Sequence, residues 1–120
     1  MLSIKQFLEA ELEKKDTTYL QKEVIGYLLN QEDKDILGHL EDIIEHGGVS
    51  GIITDLIYYD ECRSFAIEHM DEILELMEQY GIDMTVNELS GGSASTFYSH
   101  LAWLGFEQTC YTLKEEFDNQ

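Results

Sequence analysis

The 120-residue chain has no proline and only two cysteines. Proline breaks helices and is common in loops, so its absence favours a helical chain. Cys62 and Cys110 form no spacing motif and indicate reduced packing residues rather than a disulfide framework. The N-terminus lacks a signal-peptide pattern, and no apolar run approaches the ~18 residues of a membrane span. We therefore expect a cytoplasmic protein without membrane contact.

Basic residues are also scarce: the chain has 7 lysines and arginines and 25 acidic residues, which gives a net charge of −18. Such a surface repels nucleic acid and anionic membranes and attracts basic protein surfaces. Solubility, or life in high salt, is the alternative explanation. The charge is concentrated, however, because residues 31 to 90 contain sixteen acids against Lys34 and Arg63. A binding face explains this concentration better than solubility does.

Helical periodicity dominates the hydrophobic pattern. It predicts an all-α fold, a compact bundle of five to six helices in a single domain over residues 1–120, with an apolar C-terminal helix at its centre. Ser3 and Gln6 have capping-box spacing at the start of the first helix. A second helix is predicted from Tyr19 to about Asn30 and a third from about Glu32 to His46.

The second half of the pattern is less regular. A short fourth helix is predicted from Ser50, although its LIYY run is also compatible with a buried strand. Asp60 is expected to cap a fifth helix that continues to about Tyr80 and buries Leu74 among others, with Gly81 ending it. The last helix is predicted from about Ser95, fraying into the polar tail EEFDNQ.

No pattern of catalytic or ligand-binding residues emerges. None of the four histidines has metalloprotease or di-iron spacing. His69 lies near Asp71 and Glu72, which could contact a divalent ion weakly, but the pattern favours a solvated helix residue. Cys62 lacks a positioned base, and the glycines near Gly47 lack a phosphate-binding lysine. The sequence thus predicts no enzyme activity, no cofactor and no metal site.

The acids of the third and fifth helices are the predicted partner-binding residues. Carboxylates three or four positions apart on a helix are ~5–6 Å apart, so they form rows of negative charge that resemble nucleic-acid phosphates. An ordinary solvated face is the alternative. The predicted acidic set is Asp42, Glu45, Glu68, Asp71, Glu72, Glu75 and Glu78.

Aromatic residues provide a second candidate surface, since they exceed what one small core needs. Some of them are candidates for a homodimer or partner interface. Core packing is the default expectation for Trp103. The set is Tyr58, Tyr59, Phe97, Tyr98 and Trp103.

Three segments resemble an uncharacterised family of small acidic proteins from phages and plasmids: GGVSGIITDLIYY (47–59), FAIEHMDEI (65–73) and LAWLGFEQTCY (101–111). The resemblance covers about residues 46 to 117 and not the first two helices. It implies a mobile-element origin and no known enzyme activity. Proteins of this size and charge resemble inhibitors of host defence, such as anti-CRISPR and antirestriction proteins.

The predicted function is therefore inhibition of a host-defence nuclease by mimicry of nucleic acid. The acidic set would pair with lysines and arginines of a basic, nucleic-acid-binding protein. A regulatory adaptor that binds a protein through its apolar and aromatic surface is the alternative.

Overall fold

A computed structural model describes residues 1–30, 32–45, 59–79, 81 and 94–120. The described part contains helices and no strand, so the all-α prediction is confirmed. The predicted short helix from Ser50 lies outside the described residues. The helices are α1 (Ile4–Leu12), α2 (Tyr19–Leu29), α3 (Asp33–Glu45), α4 (Tyr59–Glu68), α5 (Met70–Gln79) and α6 (Ala94–Asp118).

The first two helices begin with complete capping boxes. Ser3 and Gln6 exchange side chain to backbone hydrogen bonds at α1, as predicted. Thr18 and Gln21 do the same at α2. Each box satisfies backbone N–H groups that the first helical turn cannot pair. These local bonds determine where both helices start.

Helix α6 is the centre of the bundle, as predicted. It packs against α2, α3, α4 and α5, and its buried side chains include Leu101, Phe106 and Leu113. A Cβ at Gly105 would lie 3.1 Å from the side chain of Ile73, so this glycine allows α6 and α5 to approach closely. Within the described residues, no helix has both the length and the apolarity needed to cross a bilayer.

The predicted fifth helix is wrong in two respects. A turn at His69 divides it into α4 and α5, and Asp60 lies inside α4 instead of capping it. No glycine or proline marks this break, so no local signal in the sequence predicts it. Gly81 does follow α5, with a φ of 69° that favours glycine, and its N–H donates to the Glu78 carbonyl at 3.2 Å.

The C-terminal tail does not fray as predicted. Helix α6 continues to Asp118, and Phe117 packs edge-on against Phe7 of α1 with ring centroids 5.5 Å apart. The Gln120 side chain accepts a hydrogen bond from the Leu2 N–H at 3.1 Å and donates one to the Leu2 carbonyl at 2.9 Å. Both chain ends are therefore held together by specific contacts.

Candidate functional site

The outer side of α5 carries four acids and no base in ten residues. Asp71, Glu75 and Glu78 are exposed, whereas Glu72 is half-buried. Asp71 and Glu72 lie in the first turn, where a helix favours negative charge. Glu78 lies in the last turn, where negative charge is unfavourable, and Glu75 lies one turn before it. The four acids thus differ in what they do for the helix.

Glu72 holds the start of α2. Its Oε2 accepts a hydrogen bond from the Thr18 hydroxyl at 2.5 Å, and its Oε1 accepts one from the Leu20 N–H at 3.2 Å. Thr18 is the N-cap of α2, so a carboxylate from a distant helix completes this cap. Negative charge at a helix N-terminus also interacts favourably with the helix dipole. Glu72 consequently has a structural role that the sequence did not reveal.

Two acids of α4 bind tyrosine hydroxyls of α2. The Tyr19 hydroxyl donates to Glu68 at 2.5 Å, and the Tyr27 hydroxyl donates to Glu61 at 3.3 Å. The hydrogen bond to Glu68 raises the pKa of Tyr19 to about 12. Burial, followed by the charge of Glu61, raises the pKa of Tyr27 to about 12. Glu68, like Glu72, is therefore already engaged within the protein.

Leu74 is exposed, although the sequence predicts it to be buried. It retains 45 % of its accessible surface, and Asp71 and Glu78 lie three and four positions away on the same helix. Residues at these spacings are neighbours on a helix surface. An apolar side chain thus lies among carboxylates. We call Asp71, Leu74, Glu75 and Glu78 the α5 face.

The remaining two predicted acids are on α3. Asp42 and Glu45 are both exposed. In the described residues α3 packs against α1, α2 and α6, whereas α5 packs against α4 and α6. The two rows of acids are thus carried by helices that are joined mainly through α6. That the two rows act as one binding surface stays a prediction.

His69 is buried, not solvated as the sequence suggests. Its side chain is 1 % exposed and lies between the rings of Tyr19 and Phe65, with centroids 4.7 Å and 4.8 Å away. Phe65 in turn stacks on Phe106 of α6 at 4.9 Å. The imidazole is therefore part of an aromatic series that joins α2 and α4 to the central helix.

The carboxylates nearest His69 differ from those that the sequence suggests. The Nε2 atom lies 3.8 Å from Oε1 of Glu23 and has no hydrogen-bond partner among the described residues. Three potential ligand atoms lie within 4.8 Å of one another, one each from Glu23, Glu68 and His69. We call these three residues the His69 cluster. Sequence reasoning missed Glu23 because it belongs to α2 and is distant in the chain.

A surface pocket of about 420 Å³ adjoins the His69 cluster. It is formed along α2 and shares Glu23 and Tyr19 with the surroundings of the imidazole. Its lining residues are Tyr19, Lys22, Glu23, Gly26, Tyr27 and Asn30.

Both cysteines are buried thiols. Burial, and secondarily the charge of Glu61, raises the pKa of Cys62. Burial also raises the pKa of Cys110, together with the charge of Glu107. The thiolate is the reactive form, so these environments disfavour nucleophilic chemistry.

The predicted aromatic surface is described only in part. The side chains of Tyr58, Tyr59 and Phe97 lie outside the described residues. Tyr98 and Trp103 are half-buried and pack against the core, and Arg63 lies over the Tyr98 ring at 5.5 Å. The expectation of core packing for Trp103 is confirmed.

Residues 6–119 match the family described as a domain of unknown function, DUF7222. The match extends to α2 and most of α1, which the sequence-based resemblance leaves out. No curated protein and no solved structure matches the chain. Since the match covers nearly the whole chain, the protein belongs to this uncharacterised family.

Proposed function

We propose that the protein is a non-enzymatic inhibitor that binds a basic surface of another protein through the α5 face. The observation that supports this proposal is that all four residues of the α5 face are exposed on one helix. Glu68 and Glu72, in contrast, accept hydrogen bonds within the fold. Asp42 and Glu45 of α3 would extend the contact. The α5 face combines one exposed apolar side chain with three carboxylates, so it offers a partner both a packing contact and negative charge.

The placement of Glu75 and Glu78 supports a role in binding. They are three residues apart on one helix and lie towards its C-terminal end. Like charges at this spacing cost about 0.2–0.5 kcal/mol. Glu78 also lies in the last turn, where negative charge costs about 0.3–1 kcal/mol more. A pair of residues that weakens its own helix is better explained by a contact with a cationic partner than by stability.

The proposed target is a nucleic-acid-binding nuclease of a host-defence system, of the CRISPR or restriction type. Rows of carboxylates match the charge and coarse spacing of nucleic-acid phosphates, and the resemblance to phage and plasmid proteins is in keeping with such a target. The protein would occupy the basic groove in place of nucleic acid. Its association would be fast and sensitive to salt.

A regulatory adaptor is the second candidate, and the exposure of apolar residues on neighbouring helices favours it. Ile67 on α4 is 50 % exposed and Leu74 on α5 is 45 % exposed. Binding that relies mainly on these side chains would depend little on salt. Salt dependence therefore distinguishes the adaptor from the acidic inhibitor.

The test is a plating assay in hosts that each carry one CRISPR or restriction system. Expression of the wild-type chain should restore phage plating on at least one host. The double variant Glu75→Lys/Glu78→Lys should fail to do so, and Glu9→Lys on α1 is the control for a reversed surface charge. Full activity of the double variant, or no restored plating on any host, would refute the proposal.

Salt then separates the two candidates. Binding of the purified chain to the nuclease of the host on which plating was restored is measured by biolayer interferometry between about 50 and 300 mM NaCl. A steep loss of affinity supports the acidic contact. Binding that is insensitive to salt and is lost in Leu74→Ala supports the adaptor instead.

A further inference from the structure

We propose that Glu23, Glu68 and His69 bind one Zn²⁺ ion. This inference is independent of the proposed function, because it uses none of the residues of the α5 face. It would give the chain a metal site that bridges two helices. Glu23 comes from α2, whereas Glu68 ends α4 and His69 forms the turn that follows.

The spacing of the donor atoms is close to what a metal ion requires. One ligand atom from each residue lies within 4.8 Å of the other two. Ligands at 2.0–2.2 Å in a tetrahedral site are separated by about 3.4 Å. The donor atoms must therefore approach one another by roughly 1.4 Å at most. Glu68 is exposed and Glu23 half-buried, so rotation of these two flexible side chains can supply the movement.

The imidazole itself supplies the second, independent observation. Its side chain is 1 % exposed, and Nε2 lies 3.8 Å from the Glu23 carboxylate without a hydrogen-bond partner among the described residues. Most buried polar side-chain atoms in proteins have such a partner, so an exception calls for an explanation. Coordination of Nε2 to a cation provides one. Because the rings of Tyr19 and Phe65 pack against His69, the position of the imidazole is already restrained.

The donor set selects the class of metal. One imidazole nitrogen and two carboxylate oxygens suit Zn²⁺ and related transition metals, whereas Ca²⁺ and Mg²⁺ prefer oxygen ligands alone. Three protein ligands leave a fourth position for water. The hydroxyl of Tyr19 donates to Glu68, which is the kind of outer hydrogen bond that orients a ligating carboxylate.

Binding should also stabilise the fold, because the ligands join α2 to the α4–α5 turn. Zinc at about 100 times its dissociation constant should raise the melting temperature by roughly 10 °C for a chain of this size. Mg²⁺ at the same concentration should leave it nearly unchanged. This second readout does not depend on detecting the bound metal.

The experiment is calorimetric titration of the full-length, metal-free chain with Zn²⁺, together with visible spectroscopy after substitution by Co²⁺. We expect one ion per chain and an affinity at least about 10- to 100-fold lower in Glu23→Gln and Glu68→Gln, since loss of an outer partner alone costs that much. Both variants keep an acceptor oxygen and avoid the buried imidazole. Glu75→Gln and Glu78→Gln are matched controls, because each also removes one charge.

Unchanged affinity in both Glu23→Gln and Glu68→Gln would overturn the inference. An equal loss in the Glu75→Gln and Glu78→Gln controls would also overturn it, because it would indicate general attraction of cations to an acidic surface. His69→Ala should abolish the Co²⁺ bands that report nitrogen coordination. If this variant fails to fold, the two glutamine variants still decide the outcome.

Discussion

Reversing the charges of Glu75 and Glu78 is expected to stabilise the fold while abolishing partner binding. In Glu75→Lys/Glu78→Lys, two lysines replace two acids in the C-terminal half of α5. Cations are favoured in the last turn, where position 78 lies, by about 0.3–1 kcal/mol at low ionic strength. The Glu75–Glu78 repulsion is exchanged for one between lysines, so that contribution cancels. Lysine at position 75 also gains Asp71 and Glu72 as neighbours within one turn.

The net gain should be about 1 kcal/mol in the free energy of unfolding. A chain of 120 residues has an unfolding entropy of about 0.25 kcal/mol per kelvin, so the melting temperature should rise by about 4 °C. Most single substitutions destabilise, which makes a rise informative. The same variant should lose inhibition of the defence nuclease, because both residues would then repel its lysines and arginines.

Scanning calorimetry measures the first effect and nuclease inhibition measures the second. Glu9→Lys is the control for reversed charge, and it should leave the melting temperature nearly unchanged, because any gain near the end of α1 is offset by the lost Lys5–Glu9 attraction and a new repulsion between two lysines. The reasoning is refuted if the double variant melts below the wild type while remaining folded. It is also refuted if inhibition survives, because the unfavourable charges would then have no binding role.

Three further predictions concern the fold. Glu72→Ala should lower the free energy of unfolding, measured by urea titration, by about 1.5 kcal/mol, because it removes two hydrogen bonds at the start of α2. The control Asp71→Ala should lower it less, and equal losses would argue against the capping role. Burial raises the pKa of Glu107 and Glu116, so these carboxylates bind protons more tightly in the folded chain than in the unfolded chain. The melting temperature should therefore rise as pH falls from 7 to about 5, and a lower melting temperature at pH 5 would contradict this prediction. Phe117→Ala should cost about 2 kcal/mol through its lost packing on Phe7, and a cost near zero would mean that the last turn of α6 contributes little.

Local signals predicted the starts of α1 and α2 and the buried stripe of α3 well. The Ser3 capping box needs only residues within one turn, and the stripe of Ile36, Leu40 and Ile43 follows from helical periodicity. The apolar character of α6 likewise predicted its central position. In each case the information lies in neighbouring residues and in the side-chain period.

The errors arise where distant segments determine the structure. The break at His69 has no glycine or proline, and it places the imidazole between rings from α2 and α4. Leu74 lies off the stripe of Phe65, Ile73 and Met77 that these contacts bury, so it is exposed. The meeting of Glu23 with His69 has the same origin. Pairwise contacts of this kind leave no periodic trace in a single sequence.

The acids that looked equivalent in the sequence fall into three groups in the structure. Glu72 caps α2, and Glu68 accepts the Tyr19 hydroxyl beside His69, so both contribute to the fold or to the proposed metal site. Asp71 lies in the first turn of α5, where its charge is favourable without any partner. Glu75 and Glu78 have no such compensation from their helix, so a binding role is most economically assigned to them. Net charge alone therefore assigns too many acids to the candidate binding site. Substitutions of Glu75 and Glu78 should reduce partner binding without destabilising the fold, whereas those of Glu68 and Glu72 should destabilise the fold.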